Sequence, residues 1–147
     1  MAEIIRKATT TWTGDLKGGS ASISTGSGLI KDVKITWSSR FESEPGSNPE
    51  ELIAAAHAAC FSMALSSGLT KANTPPQEIH TQATLTMRRD DHGTQITSMH
   101  LEVEASVPGI TADTFKAAAQ KAKETCPVSK LLAPGLEEIS LDAKLLN

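Results

Sequence analysis

Tyrosine is absent from this chain and aromatic residues make up only 3% of it, so the stacking platforms of single-strand nucleic-acid binders are missing. Positive charge is not in excess either. Lys and Arg number 14 against 17 Asp and Glu, a formal net charge of −3, and both signs are mixed along the length. Without a basic surface to neutralise phosphates, no nucleic-acid partner is expected. Cysteine is scarce: Cys60 and Cys126, 66 positions apart, are too few for a disulfide scaffold and are not spaced as a CxxC metal knuckle. The stretch MAEIIRKATTTW carries an acid at position 3 and lacks the apolar core of a secretory signal. No run reaches the roughly 20 apolar residues of a membrane span. The expectation is a cytoplasmic protein without a membrane partner, whose two cysteines are either structural or redox-active.

At 147 residues, the chain is expected to form one domain over residues 1–147. Its first third alternates and breaks as strands do: EIIRKATTTW, the turn TGDLKGG, SASISTG, a Gly-Ser-Gly step and VKITW predict an antiparallel meander. The polar stretch SSRFESEPGS reads as a link. After Pro75 and Pro76, QEIHTQATLTMRR and QITSMHLEVEASV predict a hairpin turning at Asp-Asp-His-Gly and pairing with the meander or with that of a second copy. TADTFKAAAQKAKETC predicts an amphipathic helix that stops before Pro127, followed by a short helix in PVSKLLAPG and a last strand in LEEISLDAKLL.

Between the meander and the hairpin lies NPEELIAAAHAACFSMAL, residues 48–65. Asn48 is a helix cap, Pro49 suits the first helical position, and Glu50 and Glu51 favour the positive end of the dipole. The predicted helix runs to about Gly68. From 52 to 65 it is apolar or small on nearly every face apart from His57 and Ser62, the pattern of a helix surrounded by protein. A chain this short covers such a helix most economically with a second subunit, which predicts an obligate homodimer.

By residue chemistry alone, Cys126 ranks as the more reactive thiol, because it precedes Pro127 at the start of a short helix, where a thiol's pKa falls. Cys60 is mid-helix and must be activated by neighbours in space. A buried free cysteine can equally be a small hydrophobe. Glu51 reads as a solvated first-turn acid, since adjacent helix positions point to different sides. His57, three residues before Cys60, shares a face with it and opens two alternatives, a Cys-His nucleophile or half a zinc site. His80, His92 and His100 have no shared spacing and read as structural or exposed.

The block NPEELIAAAHAACFSMAL, preceded by Arg40 and followed by ETCPVSKLL, resembles the OsmC/Ohr family of osmotically inducible and organic hydroperoxide resistance proteins, over essentially the whole chain. The resemblance implies an α+β fold in which two chains intertwine, antiparallel sheets wrapping two central buried helices, with active sites at the subunit interface. It implies that Cys60 is the peroxidatic thiol and Cys126 its resolving partner. One branch of the family carries its activating arginine in the first hairpin. TWTGDLKGGS has none, whereas Arg40, ten positions before Glu50, fits the OsmC branch.

On this reading Arg40, held by Glu50, keeps Cys60 as thiolate. The thiolate reduces an organic hydroperoxide in preference to hydrogen peroxide, through the greasy surroundings offered by Ala56, Phe61 and Met63. A Cys60 sulfenic acid then condenses with Cys126 to a disulfide that an external dithiol, in the family a lipoyl-type one, reduces. No metal or cofactor is implied. The rival readings are a cysteine or zinc hydrolase built on His57 and Cys60, and a non-catalytic dimeric ligand-binding module on the same fold.

Overall fold

The computed structural model of the chain describes residues 2–147, which fall into two compact units, Met1–Leu52 and Ile53–Asn147. In the first, strands β1 (Ala8–Thr13), β2 (Ser20–Thr25) and β3 (Val33–Thr36) form the expected antiparallel meander, paired in that order. Its first turn is built by Asp15, whose carboxylate accepts the Lys17 and Gly18 amides at 3.0 and 2.8 Å. Those amides, Gly18 foremost, lower the Asp15 pKa. Glycine is required at position 19, where a Cβ would lie 2.4 Å from the carbonyl oxygens of Thr13 and Asp15. Every residue of β1 is exposed, whereas Ala21 and Ile35 of the following strands are buried.

A helical turn, α1 (Trp37–Phe41), takes over Trp37, read as the end of the strand VKITW, and the first residues of the stretch read as a link. Thr36 and Ser39 form a reciprocal capping box, each side chain accepting the other's backbone amide at 3.0 Å, and this ends β3 before Trp37. Five residues are too few to show a helical period, so only the cap could have signalled it.

Helix α2 (Pro49–Lys71) starts as expected, with Asn48 Oδ1 accepting the Glu51 amide at 2.8 Å. It passes Gly68 and stops where Asn73 takes a left-handed conformation at φ 59°. His57, Phe61, Leu65 and Leu69, spaced four apart, are fully buried or nearly so. About 200° round the helix, Ala55, Ala59, Met63 and Ser67 form an exposed stripe. By length and composition α2 also qualifies as a membrane-crossing helix, with a mean hydropathy of 1.5 over its most apolar window, contrary to the reading that no stretch does.

The second unit takes up most of α2 and adds β4 (Glu78–Asp90), β5 (Gly93–Ser106), α3 (Ala112–Thr125), α4 (Pro127–Leu132), a single 3-10 turn at Ala133–Gly135 and β6 (Glu138–Leu145). β4 and β5 are the predicted hairpin, closing at Asp90 opposite Gly93. Their further neighbour in the chain is β6, in the order β4-β5-β6, and the meander forms a sheet of its own. β6 pairs with β5 in parallel, so the expectation of wholly antiparallel sheets is corrected. The reason is the helical connection: α3 and α4 carry the chain back to the end of the sheet where β5 started, and a strand re-entering there must run the same way.

Alternate residues of β5, Met99, Leu101, Val103 and Ala105, turn inward. Most of them meet Phe61, Leu65 and Leu69 of α2 and Phe115, Ala119 and Ala122 of α3 in one apolar cluster that also contains Cys126. Replacing the wholly buried Phe115 by alanine is expected to cost about 3–5 kcal/mol. Thr111→Ala, which removes the cap accepting the Thr114 amide at 3.2 Å, is expected to cost about 1 kcal/mol. Urea denaturation of the two variants measures both, and equal losses would contradict the packing described.

Candidate active site

Two sets of chemically capable side chains emerge, one in each unit. In the first, the capping box aims α1 so that Arg40 reaches the first turn of α2. Arg40 NH2 donates to Glu50 Oε1 at 2.7 Å, and its Nε donates to both carboxylate oxygens at 3.1 and 3.3 Å. The guanidinium also lies 4.9 Å over the Phe41 ring. Glu50 is buried, with 11% of its side chain exposed against 36% for Arg40. A planar, permanently charged fork is thus fixed from two sides while part of it stays accessible. Glu51, one residue on, is exposed and takes only a 3.3 Å hydrogen bond from Ser47, the solvated role expected of it.

In the second unit, the turn from α3 to α4 brings Cys126 to Cys60. Both thiols are free. Cys126 is fully buried in the apolar cluster, and Cys60 packs against it, partly exposed. Burial foremost pushes the Cys60 pKa up. The facing Cys126 thiol adds to that rise, and a hydrogen bond from the Val128 backbone amide opposes it. The first-turn amide of α4, which the sequence placed with Cys126, therefore acts on Cys60. Cys126 itself makes no side-chain cap to α4. Ring closure between the cysteines cannot be read from a 66-residue separation, and nothing in the sequence singles out Val128.

His57 does not pair with Cys60. Its Nε2 is 2.7 Å from Ser129 Oγ, in the first turn of α4, and both side chains are buried. Desolvation lowers the His57 pKa, which keeps the ring neutral, and its Nδ1 is buried without a hydrogen-bond partner. Ser129 was missed in the sequence, although it stands three residues after Cys126 as His57 stands three before Cys60. Among the described residues no cluster of three or more His, Cys, Asp or Glu side chains could hold a metal ion. His100 bonds Ser140 at 2.7 Å on the sheet and His92 lies in the hairpin turn, the structural and exposed roles expected.

A cavity of about 230 Å³ in this unit is lined by Ile53, Leu85, Ile96, Met99, Leu132 and Leu136, among others. Its walls include residues of α2 and α4, the two helices that meet at the cysteines. Of the residues expected to make the thiol's approach greasy, Phe61 is buried core instead, whereas Ala56 and Met63 are exposed.

The chain matches the family described as "OsmC-like protein" over residues 41–138, a span that begins one residue after Arg40 and takes in Glu50, Cys60 and Cys126. It is 47% identical to the Peroxiredoxin OsmC of Escherichia coli (strain K12) over 142 residues, covering 97% of both chains. Among solved structures it is similar to an OsmC-like protein of Mycoplasma pneumoniae, with a TM-score of 0.78 at 13% identity, covering 99% of this chain and 100% of the other. It is also similar to the organic hydroperoxide resistance protein OhrB of Bacillus subtilis, with a TM-score of 0.67 at 22% identity, covering 97% and 98%. Those two likenesses are of fold: an α+β architecture whose sheets and helices match. On its sequence match and its near-full-length identity to a curated relative, this chain belongs to the OsmC-like protein family.

Proposed function

We propose that the chain is a thiol-dependent peroxidase of the OsmC branch that reduces organic hydroperoxides with Cys60 as the attacking thiol and Cys126 as the resolving one. The observation that carries this reading is the meeting of two free thiols, one partly exposed and one buried, at the junction of α2 and α4. The name Peroxiredoxin OsmC, borne by a relative at 47% identity, supports it. In the first step the Cys60 thiolate attacks the distal peroxide oxygen. The O–O bond breaks, an alcohol leaves with a proton, and Cys60 becomes a sulfenic acid. Cys126 then attacks the Cys60 sulfur. The S–O bond breaks, a disulfide forms and water departs. An external dithiol, lipoyl-type in our reading, takes over the disulfide and restores both thiols. The chemistry calls for no metal or cofactor and suits the reducing cytoplasm, where we place the protein.

Burial and the facing thiol both resist ionisation of Cys60, and within its own unit nothing cationic acts on it. A cation beside it would add to the Val128 amide in favouring the thiolate, and Arg40 is the candidate. With Glu50 holding its fork, Arg40 would stabilise the thiolate and then the departing oxygen. In our reading the Arg40–Glu50 pair and the Cys60–Cys126 pair make one active site at the interface of an intertwined homodimer. The two units of each chain then form part of one OsmC-like domain, as a family match running across their boundary supports. The exposed stripe Ala55–Ala59–Met63–Ser67 and the open faces of β1 support a second copy as their cover. Small residues suit close helix approach, and Ser67 in the stripe with Ser66 beside it suits a protein neighbour better than lipid. An apolar cavity with Ile53 of α2 and Leu132 of α4 in its walls supports a preference for an organic hydroperoxide over hydrogen peroxide.

Steady-state turnover with a dithiol tests the reading, and the organic hydroperoxide is expected to react faster. After one equivalent of peroxide, mass spectrometry should find Cys60→Ser unoxidised, whereas Cys126→Ser should carry a trappable sulfenic acid on Cys60 that excess peroxide drives to sulfinic acid. Oxidation of Cys126 at the wild-type rate in Cys60→Ser would reverse the two roles. Arg40→Lys keeps the charge but loses the fork, and kcat/KM should fall on the order of a hundredfold. An unchanged rate would move thiolate activation to another group. Met63→Glu should shift the protein from dimer to monomer in sedimentation velocity, since it buries a charge wherever this stripe is covered. A dimer that survives the substitution would place the interface on another face.

A further inference from the structure

We propose that His57 and Ser129 form a positioning clasp that holds the resolving thiol against the attacking one, so that disulfide formation outruns overoxidation of Cys60. The inference rests on the peroxidase reading above and assigns a task to two buried residues that the chemistry does not otherwise use. His57 stands one helical turn before Cys60 on α2, and Ser129 stands one turn after Cys126 on α4. The 2.7 Å bond between Nε2 and Oγ therefore crosses between the same two helices that bring the sulfurs together.

Helix α4 needs such a tie. It has six residues, its N-cap side chain makes no hydrogen bond, and Leu131 on its outer side is 77% exposed. The backbone of Cys126 is fixed along the chain, its amide donating to Ala122 O at 2.8 Å and its carbonyl accepting from Lys130 at 3.0 Å, but those bonds orient it only within α3 and α4. Between α4 and α2, the clasp adds a side-chain constraint to the Val128 amide that bonds Cys60. Because burial keeps the ring neutral, it carries one N–H. Placing that proton on Nε2 lets it donate to Ser129 and leaves Nδ1 as a bare lone pair, which costs less in an apolar setting than an orphaned N–H. The bond is short, buried and without a competing water-exposed partner, so it is directional where apolar packing is not.

When Cys126 attacks, its sulfur must approach the Cys60 sulfur along the S–O bond being broken. One sulfur is oxidised, the other reduced, and water carries the oxygen away. A small displacement of α4 takes Cys126 off that line, while the Cys60 sulfur, fixed in α2, still meets peroxide. The same displacement moves the Val128 amide that favours the Cys60 thiolate, so the clasp acts chiefly on the second step and only weakly on the first.

Rapid mixing of the full-length protein with one equivalent of an organic hydroperoxide, with dimedone trapping and mass spectrometry, separates the two steps. Ser129→Ala is expected to slow disulfide formation by about tenfold or more, well beyond any change in the rate of Cys60 oxidation, and to accumulate sulfenic and then sulfinic acid on Cys60. Ser129→Thr, which keeps the hydroxyl, and His57→Gln, which keeps an N–H near the same place, should restore disulfide formation. Wild-type disulfide kinetics in Ser129→Ala would overturn the clasp, as would a proportional slowing of both steps, the mark of a general loss of structure. If the wild-type chain itself forms no Cys60–Cys126 disulfide, the peroxidase reading fails and the clasp with it. A disulfide in the wild type with no change in the variant removes the clasp alone.

Discussion

Helix α2 is apolar around almost its whole circumference, yet the rest of the chain covers one stripe of it fully. The remainder of the architecture can be read as a response to that imbalance. The covered stripe, Phe61, Leu65 and Leu69, is the spine onto which β5 and α3 pack. Cys60 sits on its shoulder, next to buried Phe61 but not itself fully enclosed. That position suits the attacking role proposed for it: dry enough to exclude side reactions with water, open enough to admit a reactant. The opposite stripe has no cover within the chain's second unit, and small side chains there leave room for close approach by another helix.

An apolar setting makes each polar group in it expensive unless it is paired, and the buried Glu50 and His57 each find a side-chain partner, His57 through Nε2 alone. Glu50 is buried at the start of α2 and receives three guanidinium hydrogen bonds. His57 is buried one turn before Cys60 and is held by Ser129. In each case the partner comes from a short helix, α1 or α4, whose own contacts are few. The same bond that satisfies a buried group of α2 therefore also fixes the short helix that contributes the partner. Arg40 and Cys126, the two residues proposed to act on Cys60, ride on those short helices or at their start. Satisfying buried polarity and positioning reactive groups are one arrangement here.

Much of this was legible in the residues. The caps at Asn48 and Thr111, the meander with its Asp15 turn, the Asp-Asp-His-Gly hairpin and the stop before Pro127 all follow from local chemistry, and each lies where that chemistry puts it. The circumference of α2 announced a helix surrounded by protein, but apolar residues on nearly every face left open which side the core would take, and the core took the stripe that carries His57. Arg40 and Glu50 could be paired on the strength of family resemblance, and their hydrogen bonds agree with it. What local chemistry misjudged was short or relational: α1, hidden in a stretch that reads as a link, and the parallel direction of β6, which depends on where a two-helix connection delivers the chain.

The sequence by itself determined most of the helices and strands and which of their faces are apolar, because propensity, capping and periodicity act over a few residues; the arginine–glutamate pair and the roles of the two thiols came only with the family resemblance. Only the tertiary structure decided how the thiols are partnered. Local reasoning gave Cys126 the benefit of the α4 amides and offered His57 to Cys60. In the folded chain, the Val128 amide meets Cys60 and His57 meets Ser129. Those partners lie 68 and 72 positions away in the chain. They meet because β4, β5 and α3 between them close one apolar core, and burial, not sequence distance, sets which polar atoms must find each other.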